Sequence, residues 1–368
     1  NVATHIAAAP RSGACLLDPT ALAALSPDAT TGAVLLASYA VGERRWAKGH
    51  RLTGEDAALL HGAAAAGLAA PVRLAWIGAH ELHESEAASM LATAAAGEGI
   101  ALDPAHQGRV DLRATHRGVL TVDLERLERI NAIDPLEFFT RWNHQPVEIG
   151  DLVASVKTAP HVVEKDAVSE GIRLVGEHGP LLSVRPYVGV TVGAIVAESL
   201  PAVALERFVA ASRLRAESLG GRFLGVSAVH SDGQMEAVER ARAGLEEFAV
   251  RQQAGLLLIG GVSAGDPLAP FLEALEGLGG GVFRRGVPAH PGSMLWLGRL
   301  GTTQLLGLPR CGAFSMATAA DLLLPRLMTG ELLTPASIAP LGHGGLLGQE
   351  MRSRFPAYAR ELPEPVAS

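Results

Sequence analysis

Between residues 187 and 308 short apolar runs alternate with longer amphipathic stretches, and this alternation constrains the fold more than any other feature of the chain. The run 187–196 (YVGVTVGAIV) is β-branched and apolar, as a strand buried on both faces should be. Pro201 opens a helical stretch that stops at Gly220-Gly221, and 223–229 reads as a second strand. Asp232 is placed to cap a charged amphipathic helix ending near Gly255. A third strand, 256–259, stops dead at Gly260-Gly261. From Pro267 the apolar residues Leu268, Phe271, Leu272 and Leu275 fall on one helix face, closed by Gly277 and Gly279. Strands follow at 282–285, 294–299 and 303–308, the last two as a hairpin, and a final helix spans 313–328. The pattern predicts an α/β fold: a doubly wound, mostly parallel sheet with helices on both faces.

The first half has a different texture. It predicts a mixed α+β region over 1–180, followed by the sheet domain at 181–330 and a C-terminal tail at 331–368, with the Gly/Pro-containing segment 176–186 as the joint. Residues 34–41 read as a strand. Thr53-x-x-Asp56 reads as a capping box opening an Ala-rich helix, and 84–96 as a second helix. The stretch 108–122 alternates like a hairpin. Asp123 caps LERLERI, with Leu124, Leu127 and Ile130 on one face, and 146–156 returns to strand.

With 48% hydrophobic and 19% charged residues among 368, the chain can bury a large core. A net charge of −7 and the lack of any Lys/Arg block argue against nucleic acid as a partner. Cys15 and Cys311 are the only cysteines and lie far apart, which is no disulfide framework and fits a reducing compartment. No apolar run reaches membrane-spanning length, and no basic region precedes a sustained apolar stretch at the N-terminus. A cytoplasmic protein without membrane contacts is expected.

Ligands of such sheets sit outside the carboxyl ends of the strands. Three loops belong there. The first carries Gly260, Gly261, Val262, Ser263, Gly265 and Asp266; the second His290, Pro291, Gly292 and Ser293; the third Pro309, Arg310, Cys311 and Gly312. Backbone amides, helix N-termini and Arg310 suit a phosphate-bearing ligand. Each residue also has a structural reading. Asp266 before Pro267 is an ordinary N-cap with Pro at N1, His290 a solvated loop residue, Ser293 a turn residue, and Cys311 a small buried hydrophobe. In 80–86 (HELHESE), His80 and His83 lack HExxH spacing, and acids at a helix start are expected from the macrodipole. No metal ligand is assigned, and Cys15 reads as inert.

At these loops the sequence resembles a known family. Gly260-Gly261-Val262-Ser263-Ala264-Gly265-Asp266 resembles the GGVSVGD turn of molybdopterin molybdenumtransferases. Residues 287–293 (VPAHPGS) resemble their V-x-x-KPGK loop, and Gly307-Leu308-Pro309 their GLPGNP turn. In the first half, Lys48-Gly49, Leu52-Thr53 and Glu55-Asp56 are similar to the family's KG-x-x-LT-x-ED segment. Gly108-Arg109-Val110, 131–134 and 153–157 look like segments of a variant subgroup related to cytidylyltransferase-linked molybdopterin-binding domains. The resemblance implies binding of molybdopterin, or its nucleotide form, in molybdenum-cofactor biosynthesis or delivery. It also implies a homo-oligomer, a cytidylyltransferase or molybdoenzyme as partner, Mg²⁺ as accessory ion, and Asp266 as the catalytic acid.

The chain departs from the family where the chemistry lies. Residues 191–195 (TVGAI) lack the acid of the family's TGDE turn, His290 and Ser293 replace both lysines of KPGK, and Arg310-Cys311-Gly312 replaces GNP. Cleavage of adenylated molybdopterin calls for acids around Mg²⁺ and cations around phosphate. The first reading is therefore a molybdopterin-binding protein without nucleotide turnover. The second is an active molybdenumtransferase, inserting molybdate with release of AMP. The third is a regulatory or scaffold protein with a vestigial pterin pocket. A nicotinamide-nucleotide dehydrogenase is excluded, since the first strand-to-helix turn lacks G-x-G-x-x-G.

Overall fold

Leu256–Gly260 is buried at every position, and in the computed structural model of the chain it is an inner strand of a six-stranded sheet. The structure describes residues 13–263, 265–309, 313 and 317–360. The strands are β1 (Thr191–Val196), β2 (Arg222–Ala228), β3 (Leu256–Gly260), β4 (Gly281–Arg285), β5 (Trp296–Leu300) and β6 (Thr303–Gly307). Their order is β2-β1-β3-β6-β5-β4. The first four in that order are parallel, while β5 and β4 add as an antiparallel pair. The expected hairpin is β5–β6.

Alternation along each strand explains why both faces are covered. Val192, Ala194, Leu258 and Leu306 point to one face and pack with Phe208 of helix α1 (Ala202–Ser218). Ile195, Leu257, Ile259 and Leu305 point to the other, against Leu245 of α2 (Gln234–Leu245) and Phe271 and Leu275 of α3 (Pro270–Gly277). Helix α4 (Ala319–Met328) joins the first face through Leu323 and Leu327. Each Val, Leu, Ile or Phe side chain among them contributes about 1.5–3 kcal/mol when fully buried. Leu333, Ile338 and Phe355, beyond α4, are buried in the same core.

Several helix starts differ from expectation. Gly233, not Asp232, caps α2, and after Leu245 the chain widens into a π-helical turn, Glu246–Arg251. Helix α3 begins at Pro270, so Asp266-Pro267 is not its start, and Leu268 is 80% exposed, off the buried face. Helix α4 begins six residues after Ala313 because Thr318 and Asp321 form a reciprocal capping box.

The chain divides into two units. The sheet unit comprises 116–121, 144–148 and 184–368, and the other 1–115, 122–143 and 149–183. In the latter, Gly13–Leu17, Val72–Trp76 and Val34–Leu35 form one antiparallel sheet over a core of Leu22, Trp46, Leu60 and Leu74. The expected strand 34–41 is split, since Tyr39–Val41 pairs instead with Arg44–Trp46. The capping box at Thr53 and Asp56 is present. A second sheet runs in the order Leu136–Thr140, Leu152–Thr158, Arg109–Ala114, Ile100–Leu102.

The expected hairpin 108–122 does not form. Arg109–Ala114 pairs with Leu152–Thr158, whereas Gly118–Val122 pairs with Pro146–Val147 in another sheet. Two long-range partners outcompete the local turn, and for the same reason 146–156 is two strands. Asp123 does cap Leu124–Asn131. The buried face there holds Arg126 in place of Leu124, which is 47% exposed. Arg126 pairs with Asp123 and donates to the carbonyl oxygens of Val175, Glu177, Gly179 and Pro180, so its charge is fully hydrogen-bonded.

Candidate functional site

Strand register places the turn after β3, the connection before β5 and the exit of β6 on one edge of the sheet. β1, β3 and β6 run parallel and end together, with Val196 beside Gly260 and Ile259 beside Gly307. β5 runs the other way, so its first residue, Trp296, pairs with Gly307, and Trp296 pairs in turn with Arg285 at the end of β4. The turn after β3, the connection 286–295 and the exit of β6 therefore share this edge. The chain leaves β1 toward the face carrying α1 and leaves its neighbour β3 toward the opposite face carrying α3. In α/β sheets, adjacent strands whose connections part in this way mark the edge where ligands bind.

One side chain organises the turn after β3. The buried indole of Trp296 donates its Nε1–H to the carbonyl oxygen of Val262 at 3.0 Å. It can lie there only because Gly307, its cross-strand partner, has no side chain; a Cβ would overlap the indole ring. The glycine of the Gly307-Leu308-Pro309 motif is thus required by packing. Gly260 and Gly261 are required in the same sense. A Cβ at Gly260 would stand 2.8 Å from the ring of Phe208, and one at Gly261 would stand 2.7 Å from Glu198 Cβ. Gly261 also has φ +77, which glycine adopts without strain. Gly265 is the open one, exposed and with Ser263 Oγ 3.7 Å from the nearest Cβ position.

The consequence is a turn whose donors are unspent among the described residues. The N–H groups of Gly261, Val262 and Ser263 meet no acceptor among the described residues, while Gly265 N–H donates to Ser263 Oγ at 3.1 Å. Consecutive free N–H groups at a glycine turn form a concavity suited to an oxyanion. Asp266 is exposed; its Oδ1 accepts from Leu268 N–H at 3.0 Å and closes an Asx turn. It is a turn residue, not the helix cap that its sequence position suggested.

The second loop is held from two sides. His290 exposes its side chain while its backbone bridges to the C-terminal segment, N–H to Gly345 O and O from Leu347 N–H, both at 2.7 Å. Pro291 O accepts the N–H of Ala319, the first residue of α4, at 2.9 Å. Gly292 lies so close that a Cβ would stand 2.8 Å from Ala319 N, and Ser293 O accepts from Val287 N–H. The start of α4 is fully committed, with Ala320 N–H on Thr318 Oγ1 and Asp321 N–H on Thr318 O. It offers no spare donors to an anion. Pro309 is buried at the exit of β6, where Leu308 N–H donates to Ile259 O. Arg310, Cys311 and Gly312 lie outside the described residues.

Sequence reasoning missed one acid at this edge. Glu198, two residues past β1, packs its Cβ and Cγ against Gly261. The signal was present: β1 ends at Val196, so the first loop residues belonged among the candidates. Among the described residues no group of three His, Cys, Asp or Glu side chains is arranged to hold a metal ion. His83, weighed as a ligand, is a helix cap whose Nδ1 accepts from Ser85 N–H and whose Nε2 reaches Gly49 O at 2.8 Å. Among the described residues no helix is long and apolar enough to cross a membrane.

No protein-family model and no curated protein sequence matches the chain. Among solved structures it is similar to a molybdopterin biosynthesis MoeA protein from Pyrococcus horikoshii, at 14% identity over 68% of this chain and 79% of that one, with a TM-score of 0.27. It is also similar to the molybdopterin biosynthesis enzyme MoaB from Thermus thermophilus, at 17% identity over 39% of this chain and 98% of that one, with a TM-score of 0.27. At these values neither transfers a residue role, and the site stands on its own geometry.

Proposed function

We propose that the chain binds molybdopterin, or its nucleotide form, at the carboxyl edge of the sheet, as a protein of molybdenum-cofactor biosynthesis or delivery that does not turn over the nucleotide. The observation that carries the proposal is the turn 261–263, whose three N–H groups have no acceptor among the described residues and whose shape is fixed by Trp296. In this reading those donors and the Ser263 hydroxyl take the ligand's phosphate. Asp266 and the exposed imidazole of His290 stand at the rim to meet its polar atoms. Support comes from β1 and β3, which send their connections to opposite faces, the arrangement at whose carboxyl ends α/β sheets bind ligands.

The described residues give Mg²⁺ no preformed site. Asp266, whose Oδ1 closes an exposed turn, is assigned to binding. One observation favours the transferase as a second reading: Glu198 beside Gly261 adds an acid to the edge that already carries Asp266. The same reading makes the protein a cytoplasmic homo-oligomer that passes its ligand to a molybdoenzyme or a cytidylyltransferase.

Titration of molybdopterin and of adenylyl-molybdopterin into the purified protein tests both. Saturable binding without release of AMP, with molybdate and Mg²⁺ present, is the expected result. AMP release under those conditions would replace the carrier reading with the transferase, and absence of binding would remove both.

A further inference from the structure

The unit formed by 1–115, 122–143 and 149–183 holds a second constellation, remote in kind from the sheet edge. Glu84, the first residue of helix Glu84–Ala95, is almost fully buried, and its Oε2 accepts from Nδ1 of His161 at 2.7 Å. The backbone repeats the tie, Glu84 N–H donating to His161 O at 3.0 Å. Two glycines at positive φ close over the carboxylate, Gly49 at φ +79 and Gly108 at φ +73. A Cβ at Gly49 would overlap Glu84 Oε1, and one at Gly108 would stand 2.5 Å from Glu84 Cδ. The carboxylate is therefore locked, and it fixes the ring with Nδ1–H inward.

Nε2 lies on the far side of that ring. It has no hydrogen-bond partner among the described residues, and the side chain retains 18% exposure. The neighbouring charges are otherwise spent. Arg109 is taken by Asp111 and Ser155, Glu86 by His83 N–H and Arg51. Lys48 is the exception. It adjoins Gly49, so its Cα is about 3.8 Å from that of the glycine that touches the dyad, and its exposed ammonium has no partner among the described residues.

We propose that His161 and Lys48 form a binding site for a phosphate group. Hydrogen phosphate matches the pair in either state of the ring. A neutral imidazole accepts from P–OH through Nε2, a protonated one donates Nε2–H to P–O⁻, and Lys48 neutralises a second oxygen. Glu84 is the positioning residue that holds the imidazole at the tautomer and angle required, as a carboxylate does behind a working histidine. A merely structural Glu–His tie would need neither an open Nε2 nor an exposed cation one residue from the glycine packed against the dyad.

Imidazole resonances of the full chain, with His161 assigned by its loss in His161→Gln, provide the test. Inorganic phosphate should shift the His161 ring signals saturably, and Lys48→Ala should weaken that binding roughly fivefold, the loss expected of one exposed charge contact. Lys48 is exposed, so this variant keeps its fold. A parallel titration with adenosine monophosphate separates the sources: equal response identifies the phosphate group alone, and a tighter one identifies a phosphorylated small molecule. Unmoved His161 signals with both probes, or equal affinity in Lys48→Ala, would overturn the proposal. Neither result bears on pterin binding at the sheet edge, so the two sites fail or stand separately.

Discussion

At Gly307 a missing side chain makes room for an indole that shapes a backbone turn, whereas at Gly49 and Gly108 it makes room for a carboxylate that fixes an imidazole. Both regions use glycine to let a buried group work on an exposed one. They differ in what they leave unpaired among the described residues. At the sheet edge it is the backbone N–H groups of a turn whose Gly261 and Ser263 are exposed, and these depend on main-chain geometry. In the other unit it is a single side-chain nitrogen, which depends on one hydrogen bond. The first should be sensitive to any change in strand packing and the second to the charge beside it.

The largest effect should come from Gly307→Ala. Displacing Trp296 from a full core is expected to cost about 3 kcal/mol in stability and to abolish ligand retention at the edge. Chemical unfolding and molybdopterin titration of one preparation measure both. Retained binding would mean that the indole does not shape the turn. Gly49→Ala should be comparably destabilising, since it combines overlap with Glu84 and an unfavourable φ. It should leave pterin binding intact wherever the chain still folds.

Acid should separate the regions next. His144, in the sheet unit, is held from the ordinary 6.5 down to about 4, by burial first and then by the cations Arg326, Arg185 and Arg354, with Glu331 opposing them. The unfolded chain therefore binds a proton that the folded one refuses. The contribution is complete above pH 6.5 and lost as pH falls toward 4, on the order of 3 kcal/mol. In the other unit, burial would raise Asp56, but bonds from His50, Thr53 and Trp46 hold it well below the usual carboxylate range. Hydrogen exchange across this window should show the sheet unit loosening first. Simultaneous loosening would contradict the assignment, and His144→Phe should flatten the slope.

Smaller changes sharpen the comparison. Trp296→Phe keeps most of the packing but loses the bond to Val262 O, at about 1 kcal/mol, and should weaken ligand binding more than that loss of stability alone would suggest. Asp266→Ala should cost less than about 1 kcal/mol, because the residue closes a turn and does not cap a helix. Its effect should appear in affinity. A large stability loss with unchanged affinity would make Asp266 purely structural.

How much of this was legible follows the range of the interactions. The alternation over 187–308 foretold the six strands because each strand's burial is written in its own residues. The turn 260–266 was legible as a special turn, but the cause of its glycines was not. Phe208, Glu198 and Trp296 are far away in sequence, and glycine looks the same whether a ligand or a neighbour excludes the Cβ. The hairpin expected at 108–122 failed for a related reason, since partners near 146 and 155 are invisible to a local pattern. Nothing in Lys48-Gly49 or Gly108-Arg109 announced Glu84. Glu198, by contrast, was available to anyone who counted two residues past the end of the first strand.

The central claim is that the N–H groups of 261–263, which have no acceptor among the described residues, form the wall of a pterin site. It is tested most directly by purifying the protein from a cofactor-producing cell and measuring the fluorescence of oxidised pterin, beside the Asp266→Ala and Gly307→Ala chains. Pterin should accompany the wild type, fall in Asp266→Ala and vanish in Gly307→Ala. A wild-type protein that emerges without pterin, or three chains that carry it equally, would contradict the account.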